Sequence, residues 1–395
     1  MDSGREVVVL SGVRTAIGDY GGGLKDLAPT DLAGRVVKEA VTRARIAPDQ
    51  VGHLVLGNVI HTEPKDMYIS RVAAINAGLP KETPALTLNR LCGSGLQAIV
   101  TAAQMIKLGD ADAAVGAGAE SMSRGAYALP AARWGARMGN VEVMDMMVGA
   151  LTDPFDTVHM GITAENVAAK WGISRQQQDE LAVESNRRAV AAAQKGYFKE
   201  QILPIELKSK KGPVQFDTDE HPRGDASLEG MAKLRTVFQK DGTVTAGNAS
   251  GINDGAAAVV LMERKAAEKK GLKPMARLVS YGHAGVDPKY MGIGPVPAVK
   301  LALERAGLKV ADMDVIESNE AFAAQACAVA KDLGFDAGKL NPNGGAIALG
   351  HPIGATGCIL TIKAIYELQR TGGRYGLVTM CIGGGQGIAA VFERL

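Results

Sequence analysis

Apolar residues along this chain fall into two alternating patterns. Short β-branched runs, VVVL at 7–10, HLVLGNVI at 53–60 and AAVVLM at 257–262, are too brief for helices and read as buried strands. Between them lie alanine-rich segments with helical spacing, so the chain reads as an α/β protein. One comparison adds more. The block VVKEAVTRARIAPDQVGHLVLGN, ending at Asn58, resembles AVKLALERAGLKVADMDVIESNE, which contains Asn319. CGSGLQAIVTAAQMIKLGDADAAVG likewise resembles IGATGCILTIKAIYELQRTGGRYGLV. Pairing Lys38 with Lys300 and Gly95 with Gly357 gives the same displacement of 262 residues (300 − 38 and 357 − 95). Two blocks in one order at one displacement point to two halves of common topology, although any two amphipathic βα units share some likeness.

The halves are unequal. They divide the chain into domains at 1–270 and 271–395, and residues from about 120 to 250 have no counterpart in the second. This inserted stretch opens on AESMSRGAYALPAARWGARMG, which lacks periodicity, and later holds SRQQQDELAVESNRRAVAAAQKG. There Ser174 and Gln177 form a capping box and Gly196 supplies a stop, so a helix is predicted between them. An insertion of that size is expected to fold over one face of the core as a lid, a ligand-binding surface or a subunit contact.

Composition narrows the classes. A hydrophobic share of 46% against 22% charged residues is an ordinary globular balance, and 395 residues exceed one ordinary core. A net charge of +2 gives no reason to expect nucleic acid or membrane as a partner. No apolar stretch approaches the ~18 residues of a membrane span. The opening MDSGREVVVL has no secretory leader pattern and the ending FERL is no retention or peroxisomal signal, so a cytoplasmic protein with free thiols is expected.

The four cysteines then become interesting. Cys92 stands in NRLCGSGLQAIV, before a Gly-Ser-Gly corner and a predicted helix ending near Gly109. A thiol at a helix N-terminus feels the positive end of the macrodipole, which lowers its pKa. This stretch alone leaves open both an exposed nucleophile and a small buried thiol. The matching corner in the second half is NPNGGAIALGHPIGATG, where Gly354 is the counterpart of Cys92 and His351 lies three residues earlier. If the halves pack about a pseudo-twofold, this imidazole approaches the thiol as its base. VTMCIGGGQGIAAVF delivers Cys381 into three glycines, whose N–H groups suit an oxyanion, and the thiol suits proton exchange. No CxxC spacing supports a redox pair between Cys92 and Cys381. Asn319, before Glu320 in VIESNEAFAAQACAV, reads either as a donor facing the crevice beyond the sheet or as a helix N-cap. Cys327 and Cys358 read as core, and His159 sits just ahead of an expected N-cap. No metal-ligand spacing is present, and neither a GxGxxG after the first strand nor a GxxxxGK[ST] loop occurs.

NRLCGSGLQAI, SNEAFAAQ, GGAIALGHPIGATG and CIGGGQG, in this order, together with GVRTAIG and TVTAGNASGINDGAAA, resemble the thiolase family over essentially the whole chain. Within it the chain most resembles bacterial acetyl-CoA acetyltransferases and the β-ketothiolases of polyhydroxyalkanoate synthesis. The resemblance implies a five-layered αβαβα core of two similar halves carrying a loop-domain insertion. It implies reversible condensation of two acetyl-CoA to acetoacetyl-CoA and CoA, with somewhat longer 3-ketoacyl chains as further substrates. Cys92 would take the acyl group with His351 as base, Cys381 would remove the α-proton, and Asn319 would hold a water beside the enolate oxygen. The N–H groups of Cys92 and Gly383 would form the other oxyanion hole. Leu151, His159, Met160, Arg223, Leu234, Phe238, Ala246 and Ser250 match positions along the CoA path, whereas Gly230 stands where relatives often carry Ser. Coenzyme A thioesters would be substrates, with no cofactor and no metal, and the partner would be further copies in a homotetramer, a dimer of dimers. The rivals are a degradative 3-ketoacyl-CoA thiolase, a decarboxylating condensing enzyme of the ketosynthase type, which would need a second histidine where Asn319 stands, and a non-catalytic acyl-CoA carrier.

Overall fold

In the computed structural model, which describes residues 4–210 and 212–395, the repeat is visible in the sheet order. From the middle outward, the first half runs Val7–Arg14, Asn253–Glu263, Ala113–Ser121, His53–Gly57 and Ala85–Leu88. The second runs Ala276–Gly285, Gln386–Arg394, Tyr375–Ile382 and Val315–Ser318. The inner strands pair antiparallel and the outer ones parallel in both halves. Val7–Arg14 and Ala276–Gly285 pair at the seam between the halves, Val8 with Arg277 and Val9 with Ala276.

Helices complete the layers. Pro29–Ala44 packs on the first half and Pro295–Ala306 on the second, each burying one side. Ser94–Leu108 and Thr356–Thr371 pack on one another and on strands of both halves, which makes five layers, αβαβα. The position explains the residue pattern: Thr356–Thr371 buries nearly its whole circumference, as a helix covered on all sides must. Equivalent glycines bring these central helices together. A Cβ on Gly95 would stand 2.8 Å from the backbone nitrogen of Cys358 and 3.0 Å from that of Gly357, and a Cβ on Gly357 would collide with Leu96. Contact this close needs a residue without a side chain.

Most predicted elements stand near their expected places. The capping box of Ser174 and Gln177 opens the Arg175–Gln194 helix, and Gly196 follows it with φ +72°. Ser94–Leu108 ends on Gly109 at φ +87°. The strand expected over 53–60 stops at Gly57, because the N–H groups of Val59 and Ile60 turn to the Glu120 carboxylate. The insertion lies between Ala113–Ser121 and Asn253–Glu263, and a buried ion pair between Arg14 and Asp219 (2.7 Å) ties it to the first strand. Among the described residues no helix is long and apolar enough to cross a membrane.

Candidate active site

Cys92 sits on a backbone corner that its neighbours hold under strain. Leu91 adopts φ +46°, a left-handed conformation uncommon for a branched side chain. Asn89 Oδ1 accepts the Leu91 N–H at 2.9 Å. The Ser94 hydroxyl accepts from Arg90 N–H at 2.8 Å and donates to the Leu91 carbonyl at 2.7 Å. The corner turns Cys92 into a cavity of about 330 Å³, whose walls also include Leu91, His351 and Gly383. The expected drop in thiol pKa is not found. Burial pushes Cys92 up to about 11, opposed by backbone N–H groups at Gly383 and Cys92 and reinforced by the Glu120 charge. Desolvation outweighs the helix end here, so the resting residue is a thiol that needs a base.

His351 is oriented at both ring nitrogens. Nδ1 lies 2.6 Å from the Thr356 hydroxyl, which donates its own proton to the Pro352 carbonyl at 2.9 Å. The hydroxyl therefore accepts the Nδ1–H, which leaves Nε2 with its lone pair. Nε2 faces the Asn319 amide nitrogen at 3.4 Å. The His351 backbone N–H donates to Asn253 Oδ1 at 3.0 Å, and burial lowers the imidazole pKa to about 4. A neutral imidazole with an unprotonated Nε2 is the state a proton acceptor requires.

Asn319 follows the strand Val315–Ser318, and its N–H donates to the Thr379 carbonyl at 3.0 Å. It is not a helix cap, because the next helix starts at Ala323 with Phe322 as cap. Its Oδ1 is buried without a protein partner. Cys381 is the penultimate residue of the strand Tyr375–Ile382, which is buried from Gly376 onward, and burial first, then the neighbouring Cys92, raises its pKa. Gly383 follows where a Cβ would lie 2.8 Å from Met160 Cε. Gly384 and Gly385, at φ +80° and +83°, complete the turn into Gln386–Arg394. Of the remaining thiols, Cys358 is buried and Cys327 is partly buried in Ala323–Leu333.

The insertion supplies most of the cavity wall. Leu151, His159, Met160, Phe238, Ala246 and Ser250 line it, joined by Met291 and Phe322, which sequence did not single out. Arg223 and Leu234 do not: Arg223 is exposed, with its N–H on Asn186 Oδ1 at 2.8 Å, and Leu234 reaches towards Gly247 beside Ala246. His159 is itself the N-cap of Met160–Trp171, with Nδ1 accepting from Gly161 N–H at 3.0 Å, and its ring stacks on Phe238 at 4.5 Å. Among the described residues no group of three or more His, Cys, Asp or Glu could hold a metal ion. Thr356 and Asn253 were missed because a hydroxyl and an amide carry no chemistry until the fold brings them to His351; the proximity of Thr356 to His351 in sequence was the available signal.

Residues 7–265 match the model of the thiolase N-terminal domain and residues 272–394 that of the thiolase C-terminal domain. The chain belongs to the thiolase family. This thiolase is 69% identical to beta-ketothiolase BktB of Cupriavidus necator, covering 99% of the chain and 100% of that protein. It is 51% identical to an acetyl-CoA acetyltransferase of Chromobacterium violaceum, covering 98% and 100%. The crystal structure of the Bacillus anthracis acetyl-CoA acetyltransferase superimposes with a TM-score of 0.97 at 46% identity, covering 99% of both chains. That of human mitochondrial 3-ketoacyl-CoA thiolase in complex with CoA does so with a TM-score of 0.95 at 45% identity, covering 99% and 98%. The thiolase is accordingly an acyltransferase.

Proposed function

We propose that this thiolase is an acetyl-CoA C-acetyltransferase, a β-ketothiolase that condenses two acetyl-CoA to acetoacetyl-CoA and CoA and runs the reverse thiolysis. The observation that carries the reading is the imidazole of His351, held with an unprotonated Nε2 in the cavity that Cys92 and Gly383 share. All the groups start neutral: two thiols and an imidazole.

In the first half-reaction Nε2 takes the Cys92 proton as sulfur attacks the acetyl carbonyl. The N–H groups of Cys92 and Gly383 stabilise the oxyanion. The carbon–sulfur bond to CoA breaks, and the Cys381 thiol protonates the departing sulfur. This leaves S-acetyl Cys92, an imidazolium and a Cys381 thiolate. A thioester replaces a thioester, so the acetyl group keeps its reactivity. In the second half-reaction the Cys381 thiolate takes the α-proton of a second acetyl-CoA, while Nε2–H and a water held by Asn319 stabilise the enolate oxygen. The α-carbon attacks the S-acetyl carbon, the bond to Cys92 breaks, and the imidazolium returns a proton to Cys92. Every group ends as it began.

The apolar wall of Met160, Met291 and Phe322 supports entry of acyl chains longer than acetyl, and CoA thioesters are read as substrates with no cofactor. Trp134 and Met138, 85% and 97% exposed on an arm of the insertion, support assembly with further copies into a homotetramer. The likeness to a bacterial beta-ketothiolase supports reading the enzyme as cytoplasmic. Incubation with radiolabelled acetyl-CoA, followed by peptide mapping, tests the mechanism. Label on the Cys92 peptide is expected; label on Cys381, or no acetoacetyl-CoA formed, sinks it.

A further inference from the structure

Glu120 breaks the symmetry of the two halves near the reacting groups. At the displacement of 262 residues its counterpart is Ile382 (382 − 120), so a carboxylate stands where the other half has an aliphatic chain. It is fully buried, and both oxygens are saturated by N–H donors. Oε1 accepts from Asn58 Nδ2 at 3.1 Å and Ile60 N at 3.0 Å. Oε2 accepts from Val59 N at 3.1 Å and Gly354 N at 2.9 Å.

Three of these donors lie in the first half and one in the second. Val59 and Ile60 pack in one apolar cluster with Cys92 and Ile353. Gly354 lies between His351 and Thr356, the pair that sets the imidazole tautomer. The approach leaves no room for a side chain at position 354, where a Cβ would stand 2.8 Å from Glu120 Oε2. The carboxylate thus ties the loop beneath the thiol to the loop bearing the base.

We propose that Glu120 is a positioning residue for the thiolase reaction, a clasp across the two halves that fixes the thiol of Cys92 against the imidazole of His351. It touches no substrate and acts through its four N–H partners. Burial pushes the Glu120 pKa up to about 8 against the pull of its backbone N–H donors, so from about that pH upward its charge disfavours the Cys92 thiolate, which itself forms only towards about 11. The proposal rests on the functional reading above.

The test uses the full-length enzyme with Glu120→Gln and Glu120→Asp. Glutamine keeps the shape, removes the charge and sets an amide NH2 against N–H donors. Aspartate keeps the charge and loses reach. In thiolysis of acetoacetyl-CoA, both should lower kcat by ~30-fold or more with KM within about threefold, because misplacement of reacting groups is costly. The pH profile of Cys92 alkylation by iodoacetamide, followed on its peptide, should move to lower pH by about half a unit in Glu120→Gln and stay in place in Glu120→Asp. A wild-type kcat in either folded variant overturns the proposal. So does a loss of kcat matched by the loss of folded enzyme, or an unmoved alkylation profile in Glu120→Gln. The wild-type control separates the two readings: absence of thiolysis there defeats the assigned reaction, whereas alkylation needs no substrate and still reports on the clasp.

Discussion

Thr356 accepts the Nδ1–H of His351 at 2.6 Å while giving its own proton to the Pro352 carbonyl at 2.9 Å. One hydroxyl therefore decides which imidazole nitrogen can take a proton from Cys92. Thr356→Val should leave the helix start packed but free the tautomer, lowering kcat by ~100-fold. Thr356→Ser should restore most of it. Equal activity in the valine variant, measured by acetoacetyl-CoA thiolysis, would show that the tautomer is set elsewhere.

The low pKa of His351 gives two pH effects. Because the base works only when neutral, kcat/KM should hold as pH falls past the ordinary histidine value of ~6.5 and decline only towards about 4. In the same window the unfolded chain binds a proton that the folded chain refuses. Stability should therefore fall with falling pH, by about 2 kcal/mol at pH 5 relative to neutrality from this group. Urea unfolding at the two pH values checks this against His351→Asn, whose decline should be shallower. An acid limb near pH ~6.5 would contradict the buried, neutral imidazole.

Cys381→Ser should separate the half-reactions. Acylation of Cys92 needs His351 and the oxyanion donors and uses Cys381 only to protonate a CoA thiolate that is already a good leaving group, whereas condensation needs Cys381 to remove the α-proton. Label transfer from acetyl-CoA should persist while acetoacetyl-CoA formation drops by ~1000-fold. Similar losses in both steps would refute the division of labour.

For Gly95→Ala the added Cβ meets the backbone of Cys358 at 2.8 Å, and no side-chain rotation can relieve it. Overpacking of this kind should cost about 3 kcal/mol, seen as a lower melting temperature. Gly109→Ala lies in open space beyond the helix end and makes the control for composition, carrying only the strain of its positive φ. A wild-type melting curve for Gly95→Ala would mean the central helices are not so closely docked.

Much of this architecture was legible because it repeats. The common displacement of Lys38/Lys300 and Gly95/Gly357 announced two halves, and the capping box at Ser174 located the insertion's main helix. Cys92, His351 and Cys381 could be singled out because each sits beside glycine or proline where a strand or loop turns, Asn319 because it ends a strand, and Gly383 through the resemblance to the family. What stayed hidden depends on the third dimension. The left-handed Leu91 carries no sequence mark, because a leucine there is strained by its neighbours' hydrogen bonds and not by its own type. The Cys92 pKa was misread because proximity to a helix start is visible in sequence and the depth of burial is not. His159 was placed ahead of a cap when its own ring is the cap, since Nδ1 acts as an acceptor more rarely than a hydroxyl or carboxylate.

The contact at Gly95 and Gly357 also governs when the site comes into being. Its partners are 262 residues apart, so the loop between them must close before the thiol and the imidazole share a cavity. A nascent chain with only the first half made carries its nucleophile without a base. Reactivity thus arrives with the last stage of assembly, and the growing polypeptide is chemically quiet until its second half docks.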